Sequence, residues 1–144
     1  MPRRKKVLGV SEEDLRAVDD FLAKESELLW KKDVNGLLAL YAEDTVLLPP
    51  DMDAVQGREA IKRLYEHWFS VYGDIEQKAT ALDVVGMGDA LAVRYTYIFK
   101  DQRKGQKATE SRGRGVALFK RTSEGWKILW DVWNYPPPLK QGSA

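Results

Sequence analysis

The sequence predicts an α+β domain in which three N-terminal helices pack on a curved antiparallel sheet. In the first half of the chain apolar residues recur at helical spacing, whereas everything after Gly73 is typical of strands joined by polar turns. Helices followed by a run of strands favour a sheet with its helices gathered on one face. A length of 144 residues allows one domain with a substantial core.

Capping residues and periodicity predict the three helices. Ser11 is a suitable N-cap for the first helix, because three acidic residues follow it in the first turn. The apolar stripe of this helix is interrupted by Glu25 and otherwise runs through Leu15, Val18, Leu22 and Leu29. The segment "VNGLLALY" predicts a short second helix, and a third is expected from Arg58 to Tyr72.

Alternation within the strands predicts a sheet with two apolar faces. A brief strand in "TVLLPP" is stopped by its prolines, and "QKATALDVV", "ALAVRYTYIF", "GRGVALFKR" and "WKILWDVWN" follow. Strict alternation in the last strand places Leu129, Asp131 and Trp133 on one face, opposite Trp126, Ile128, Trp130 and Val132. Because the helices can cover only one face, we expect a homodimer through the other.

Composition limits the domain organisation and the classes of function. We expect a flexible basic tail over residues 1–10, a single domain over 11–135 and a flexible tail over 136–144. The net charge of +1 argues against nucleic-acid binding, and no apolar run is long enough to span a membrane. A soluble, cytoplasmic protein is therefore predicted. The lack of cysteine excludes thiolate metal sites, and a single histidine excludes a multi-histidine site. The sequence implies no metal and no organic cofactor.

Three charged residues occur where the patterns predict apolar ones, namely Glu25, Arg94 and Asp131. If all three line one pocket, Asp131 would be an acid or base, Arg94 would orient it, and Glu25 would be a second carboxylate. Alternatively, Arg94 and Asp131 form one satisfied ion pair and Glu25 lies at the edge of its stripe. The residues alone leave both interpretations open.

Aromatic residues offer a lining for a small apolar or aromatic molecule. The candidates are Tyr41, Tyr65, Trp68 and Trp133, although packing in the core is the default for aromatics at such spacing. His67, at the flank of the third helix, is a further candidate contact, but a lone histidine there is more often a hydrogen-bonding residue at the core edge. The glycines of "GMGD" and "GRG" are interpreted as turns or strand bends.

Three segments carry a resemblance to a known family. "LYAEDTVLLPP", "QGREAI" and "GWKILWDVWN" resemble the SnoaL-like branch of the nuclear transport factor 2-like superfamily, over roughly residues 11–135. The resemblance implies a cone-shaped, cystatin-like fold: a curved sheet around a pocket closed by three helices, often dimeric through the sheet. It also implies that Asp131 and Trp133 face the pocket while Trp130 and Val132 face the partner.

Members of this superfamily include steroid isomerases, polyketide cyclases, epoxide hydrolases, dehydratases and non-enzymatic modules. An activity can therefore be assigned only by comparing the catalytic residues one by one. The general base of the steroid isomerases falls at Pro49, their tyrosine donor at Glu25, and their protonated aspartate near Ala117. All three groups are missing, and proton shuttling of that kind is disfavoured.

The limonene epoxide hydrolases give a partial match. Their base corresponds to Asp131 and their arginine to Arg94, but their acid is Thr96 here, and their water-holding Tyr and Asn fall at Leu47 and Pro49. Two hypotheses follow: a cofactor-independent isomerase, cyclase or hydrolase acting on a largely apolar ligand, or a non-catalytic ligand-binding or assembly module. Convergence of the three charged residues on an open cavity would favour the enzyme.

Overall fold

A computed structural model describes residues 6–136, and the predicted α+β class is confirmed. The elements in chain order are β1 (Lys6–Leu8), α1 (Glu12–Lys31), α2 (Val34–Leu38), β2 (Tyr41–Leu48), β3 (Val55–Gln56), α3 (Arg58–Val71), β4 (Asp74–Met87), β5 (Ala90–Gln102), β6 (Thr109–Thr122) and β7 (Gly125–Asn134). The strands of this part of the chain form one sheet in the order β1-β4-β5-β6-β7-β2-β3. The antiparallel strands β4 to β7 form its centre, and the helices cover one face.

The three helices begin where capping and periodicity predict them, but α2 ends at Leu38, and Tyr41 at the end of its predicted segment begins β2. The Ser11 hydroxyl accepts a hydrogen bond from the Asp14 amide at 3.1 Å, which satisfies a free donor at the start of α1. The Asp33 carboxylate accepts one from the Gly36 amide at 2.9 Å and starts α2 in the same way. The apolar stripe of α1 is buried at Leu15, Val18, Phe21, Leu28 and Leu29.

The N-terminal tail prediction is wrong for its last residues. Lys6–Leu8 forms β1, which pairs in parallel with β4 through the register Val7 with Val84. Three residues are too few for a readable alternation, and the hydrogen-bonding edge of β4 recruits them from outside the local sequence. Residues 1–5 and 137–144, which the predicted tails include, lie outside the described residues.

A β-bulge in β7 corrects the predicted alternation of that strand. Leu118 pairs with Trp130 and Phe119 pairs with Ile128, so Leu129 is an extra residue in β7. A bulge of this kind reverses the facing of the residues that follow it. Ile128 therefore lies on the same face as Asp131, and not with Trp130 as strict alternation predicts.

The two faces of the sheet differ in exposure. The inner face, under the helices, contributes fully buried residues such as Val93 and Phe119 to the core. The outer face keeps large apolar residues in contact with solvent, among them Trp130 at 55% exposure and Val132 at 43%. The division of the tryptophans between an inner and an outer face follows the prediction for Trp130 and Trp133.

Candidate functional site

A cavity of about 280 Å³ lies between the helices and the inner face of the sheet. Its lining is mainly apolar and includes twelve aromatic residues, namely Phe21, Tyr41, Tyr65, Trp68, Phe69, Tyr72, Tyr95, Tyr97, Phe99, Phe119, Trp133 and Tyr135. Two carboxylic acids, Glu25 and Asp131, are the acidic side chains among the described lining residues, and no Lys, Arg or His of those residues joins them. A concave apolar site with a few polar groups is the usual form of a small-molecule site.

The bulge of β7 turns Asp131 toward this cavity, where it meets Tyr95 of β5. The Tyr95 hydroxyl donates a hydrogen bond to Asp131 Oδ1 at 2.6 Å. Burial raises the pKa of Asp131 from 3.8 to about 7, and the hydrogen bond from Tyr95 opposes part of this rise because it stabilises the carboxylate. Asp131 therefore changes its charge near neutral pH, as a general base needs.

Glu25 projects from α1 into the same cavity. Burial, and to a smaller extent the negative charge of nearby Asp131, raise its pKa from 4.5 to about 8. The amide Nε2 of Gln77 on β4 lies 3.4 Å from Glu25 Oε1, which is a long hydrogen bond. At neutral pH Glu25 is mainly protonated and can donate a proton.

Two tyrosines add a second polar point to the cavity. The hydroxyls of Tyr41 on β2 and Tyr65 on α3 lie 2.6 Å apart and share a hydrogen bond. Burial raises the pKa of both phenols well above the ordinary value, so both stay neutral. Arg58 fixes the start of β2 by donating from Nη2 and Nε to the Tyr41 carbonyl at 2.8 and 3.1 Å.

The predicted aromatic lining residues all reach the cavity. Tyr41, Tyr65, Trp68 and Trp133 are among its walls, and the rings of Trp68 and Trp133 meet edge to face at a centroid distance of 6.4 Å. Packing between rings also joins Tyr65 to Trp68 at 5.5 Å. These side chains therefore pack against one another and also line the cavity.

Two of the predicted site residues lie elsewhere. Arg94 is on the outer face of β5, where its side chain is 44% exposed and its Nε donates to Asp83 Oδ2 at 2.5 Å. The predicted pairing of Arg94 with Asp131 is wrong, because the large residues of β5 fill the inner face and leave the small ones outside. The side chain of His67 is exposed on α3 and does not line the cavity.

The partner of Asp131 that the sequence analysis missed is Tyr95. It follows Arg94 directly and belongs to the alternating set Leu91, Val93, Tyr95, Tyr97 and Phe99. Alternation places that set on one face of β5, but it does not say which face lies under the helices, so no local signal identifies Tyr95. Within residues 6–136 no three His, Asp or Glu side chains converge in a metal-binding cluster.

Comparisons with known proteins agree with this architecture. A family model for the SnoaL-like domain matches residues 24–129. A proposed aromatic ring hydroxylase from Novosphingobium aromaticivorans is 22% identical, with a TM-score of 0.81 over 91% of this chain and 94% of that one. A proposed dehydratase of the NTF2-like family from Streptomyces avermitilis is 17% identical, with a TM-score of 0.80 over 89% and 100%.

A ketosteroid isomerase-like protein from Erwinia carotovora atroseptica is 20% identical, with a TM-score of 0.73 over 89% of this chain and 100% of that one. The sequence matches no curated protein. Three helices packed on a curved sheet are the architecture of the NTF2-like, cystatin-like fold that these solved structures share with this chain. The chain belongs to the SnoaL-like domain family. None of the helices in residues 6–136 has the length and apolar character that a membrane span requires.

Proposed function

We propose that this protein is a cofactor-independent acid–base enzyme that acts on a small, largely apolar or aromatic molecule. Two carboxyl groups with different proton affinities in one apolar cavity carry the proposal. Asp131 is the base, because the Tyr95 hydroxyl donates to its carboxylate and stabilises the ionised form, and Glu25 is the acid, because burial and the nearby charge of Asp131 favour its protonated form. Pairs of titratable groups separated in this way are a recurrent feature of acid–base sites.

The remaining cavity residues favour an uncharged ligand. Buried charge needs a compensating partner, and the described lining holds no cationic side chain that would accept an anionic group. Flat rings of a ligand can pack against Trp68 and Trp133, while the hydroxyls of Tyr41 and Tyr65 offer a neutral hydrogen-bonding point. These features support an isomerase, cyclase or hydrolase of neutral ring compounds.

Native mass spectrometry of the purified protein, followed by turnover of the retained ligand, tests this function. Glu25→Gln and Asp131→Asn should each lower turnover by about 100-fold or more, as loss of a general acid or base does. Arg94→Met is the matched control, because that side chain lies outside the cavity, and it should keep wild-type turnover. Unchanged turnover in Asp131→Asn would refute the assigned base.

Isotope labels separate the reaction classes. An isomerase or cyclase that moves protons at carbon should incorporate deuterium from D₂O, whereas a hydrolase should incorporate oxygen from H₂¹⁸O. A ligand that is retained but never converted, with equal affinity in wild type and Asp131→Asn, would support the alternative, a non-catalytic ligand-binding module. The many aromatic residues of the cavity lining favour that alternative, because packing alone can bind an apolar ligand.

We also propose that the outer face of the sheet forms a homodimer. Leu48, Val116, Trp130 and Val132 are exposed there on three neighbouring strands, with Val132 paired to both Val116 and Leu48. The ion pair of Arg94 with Asp83 neutralises the charge beside this patch. A self-complementary apolar face of this kind is suited to a two-fold interface.

Light scattering after gel filtration tests the dimer. Trp130→Glu should convert the protein to a monomer, because it places a charge in the centre of the proposed interface. Trp30→Glu is the matched control, since Trp30 is 58% exposed on α1 and away from the outer face. The Trp30→Glu protein should remain dimeric. A wild-type protein of monomer mass at tens of micromolar would refute the proposal.

A further inference from the structure

The two glycines of the "GRG" segment lie inside strand β6 and not in a turn. Gly113 and Gly115 lie on the inner face of β6, in register with Tyr97 and Tyr95 of β5. Neither has a positive φ, so backbone conformation does not require glycine at either position. The reason for glycine at these two positions therefore lies in the space above them on the inner face.

Tyrosine rings from β5 occupy that space. A Cβ on Gly115 would lie 2.6 Å from Tyr95 Oη and 2.8 Å from Tyr95 Cζ, and it would overlap the Val132 carbonyl oxygen. A Cβ on Gly113 would overlap the ring of Tyr97. The absence of both side chains lets the two phenols lie flat across β6.

This arrangement explains how Tyr95 reaches Asp131. The two residues belong to β5 and β7, which are separated by β6, so the hydrogen bond spans two strand spacings, or about 10 Å. The Tyr95 hydroxyl lies over Gly115 and donates to Asp131 at 2.6 Å. A side chain on the inner face at position 115 would stand in this path.

We propose that Gly115 is a positioning residue of the cavity, which lets Tyr95 cross β6 and hold the carboxylate of Asp131. The inference rests on the proposed function only for the catalytic meaning of Asp131, since the geometry stands by itself. The "GRG" segment, whose pattern indicates only a turn or a strand bend, thereby has a role in placing Tyr95. We also predict that Tyr95 and Gly115 act as one unit.

Titration of Asp131 reports this unit without any ligand. The ionisable groups that face the carboxyl group come from four elements and are Glu25, Tyr41, Tyr65, Tyr95 and Tyr97. The hydrogen bond from Tyr95 lowers the pKa of Asp131, so its loss must raise that pKa. Loss of a hydrogen bond to a charged acceptor should raise the pKa of that acceptor by about one to two pH units.

The experiment is a ¹³C NMR titration of the Asp131 carboxyl carbon in four proteins: wild type, Tyr95→Phe, Gly115→Ala and the double variant. Tyr95→Phe and Gly115→Ala should raise the midpoint by similar amounts, and the double variant should show no further rise. Gly113→Ala is the matched control, which displaces Tyr97 and should shift the midpoint far less. A midpoint that moves in Tyr95→Phe but not in Gly115→Ala would overturn the proposal.

A second measurement tests the proposal if Gly115→Ala does not fold. If Gly115→Ala is too unstable to titrate, thermal unfolding compares the double variant with Tyr95→Ala alone, since the new methyl group then meets the Val132 carbonyl but no phenol ring. The loss of stability caused by Gly115→Ala should be smaller in the Tyr95→Ala background than in the wild type. An equal loss in both backgrounds would mean that Gly115 serves only its contact with the Val132 carbonyl, and the positioning role would be wrong. Loss of the catalytic proposal would leave these titrations unaffected, so the two failures are distinguishable.

Discussion

Replacement of Glu25 by glutamine should stabilise the protein at neutral pH, and the size of the effect follows from its environment. Burial and the charge of Asp131 raise the pKa of Glu25 from 4.5 to about 8. An acid with a raised pKa in the folded state contributes stability that is fully present below pH 4.5 and is lost as the pH rises to about 8. Glutamine keeps the neutral form at every pH.

The magnitude at pH 7 follows from the distance between that pH and the ordinary pKa. About 2.5 pH units at about 1.36 kcal/mol per unit amount to roughly 3 kcal/mol of lost stability in the wild type. Glu25→Gln should therefore gain roughly this free energy of unfolding, relative to wild type, between pH 4 and pH 7. Urea unfolding of both proteins at the two pH values measures it.

Glu27→Gln is the matched control, because Glu27 lies two residues further along α1 but is exposed and bound to Lys31 at 2.7 Å. Its pKa is lowered by the hydrogen bond from Lys31 and the charges of Lys24 and Lys31, so its replacement should slightly destabilise the protein at pH 7. Equal stability differences for Glu25→Gln at pH 4 and pH 7 would refute the reasoning, because they would mean that Glu25 ionises as it does in water.

Three further changes test the site and the fold. Asp131→Asn should lower the pKa of Glu25, since it removes a neighbouring negative charge, and a ¹³C titration of the Glu25 carboxyl carbon that is unchanged would contradict their coupling. Ile61→Ala should cost about 2–5 kcal/mol in urea unfolding, because the side chain is fully buried on α3, and a loss below 1 kcal/mol would mean that the core collapses around it. Ser11→Ala should cost about 1 kcal/mol in thermal unfolding by removing the N-cap of α1, and wild-type stability would show that water replaces the cap.

The aromatic and acidic residues of the cavity were largely predictable from the sequence. Glu25 interrupts an apolar stripe whose face packs inward, so helical periodicity marks it as a candidate cavity residue, although the same periodicity also allows a position at the edge of the stripe. Trp133 and Asp131 are two residues apart on one strand and share a face for the same kind of reason. Local periodicity therefore carried the identity of the two acids.

The partners of these acids were not predictable, because strand pairing decides them. Arg94 and Tyr95 are adjacent in sequence and face opposite ways, and only the packing of the helices against the bulkier set selects Tyr95 for the cavity. The bulge at Leu129 has no local signal, and it reverses the facing of every residue between it and the end of β7. The register with β6 then places Tyr95 over Gly115.

The sequence by itself determined the types of the main elements, the apolar stripes and which charged residues interrupt them, because these depend on the period of a helix or strand. Only the tertiary structure decided which face of β5 lines the cavity, that β1 joins the sheet, and that Gly115 lies under the hydroxyl of Tyr95. Those features depend on contacts between residues far apart in the chain, for which the sequence offers many registers and the packed core accepts one.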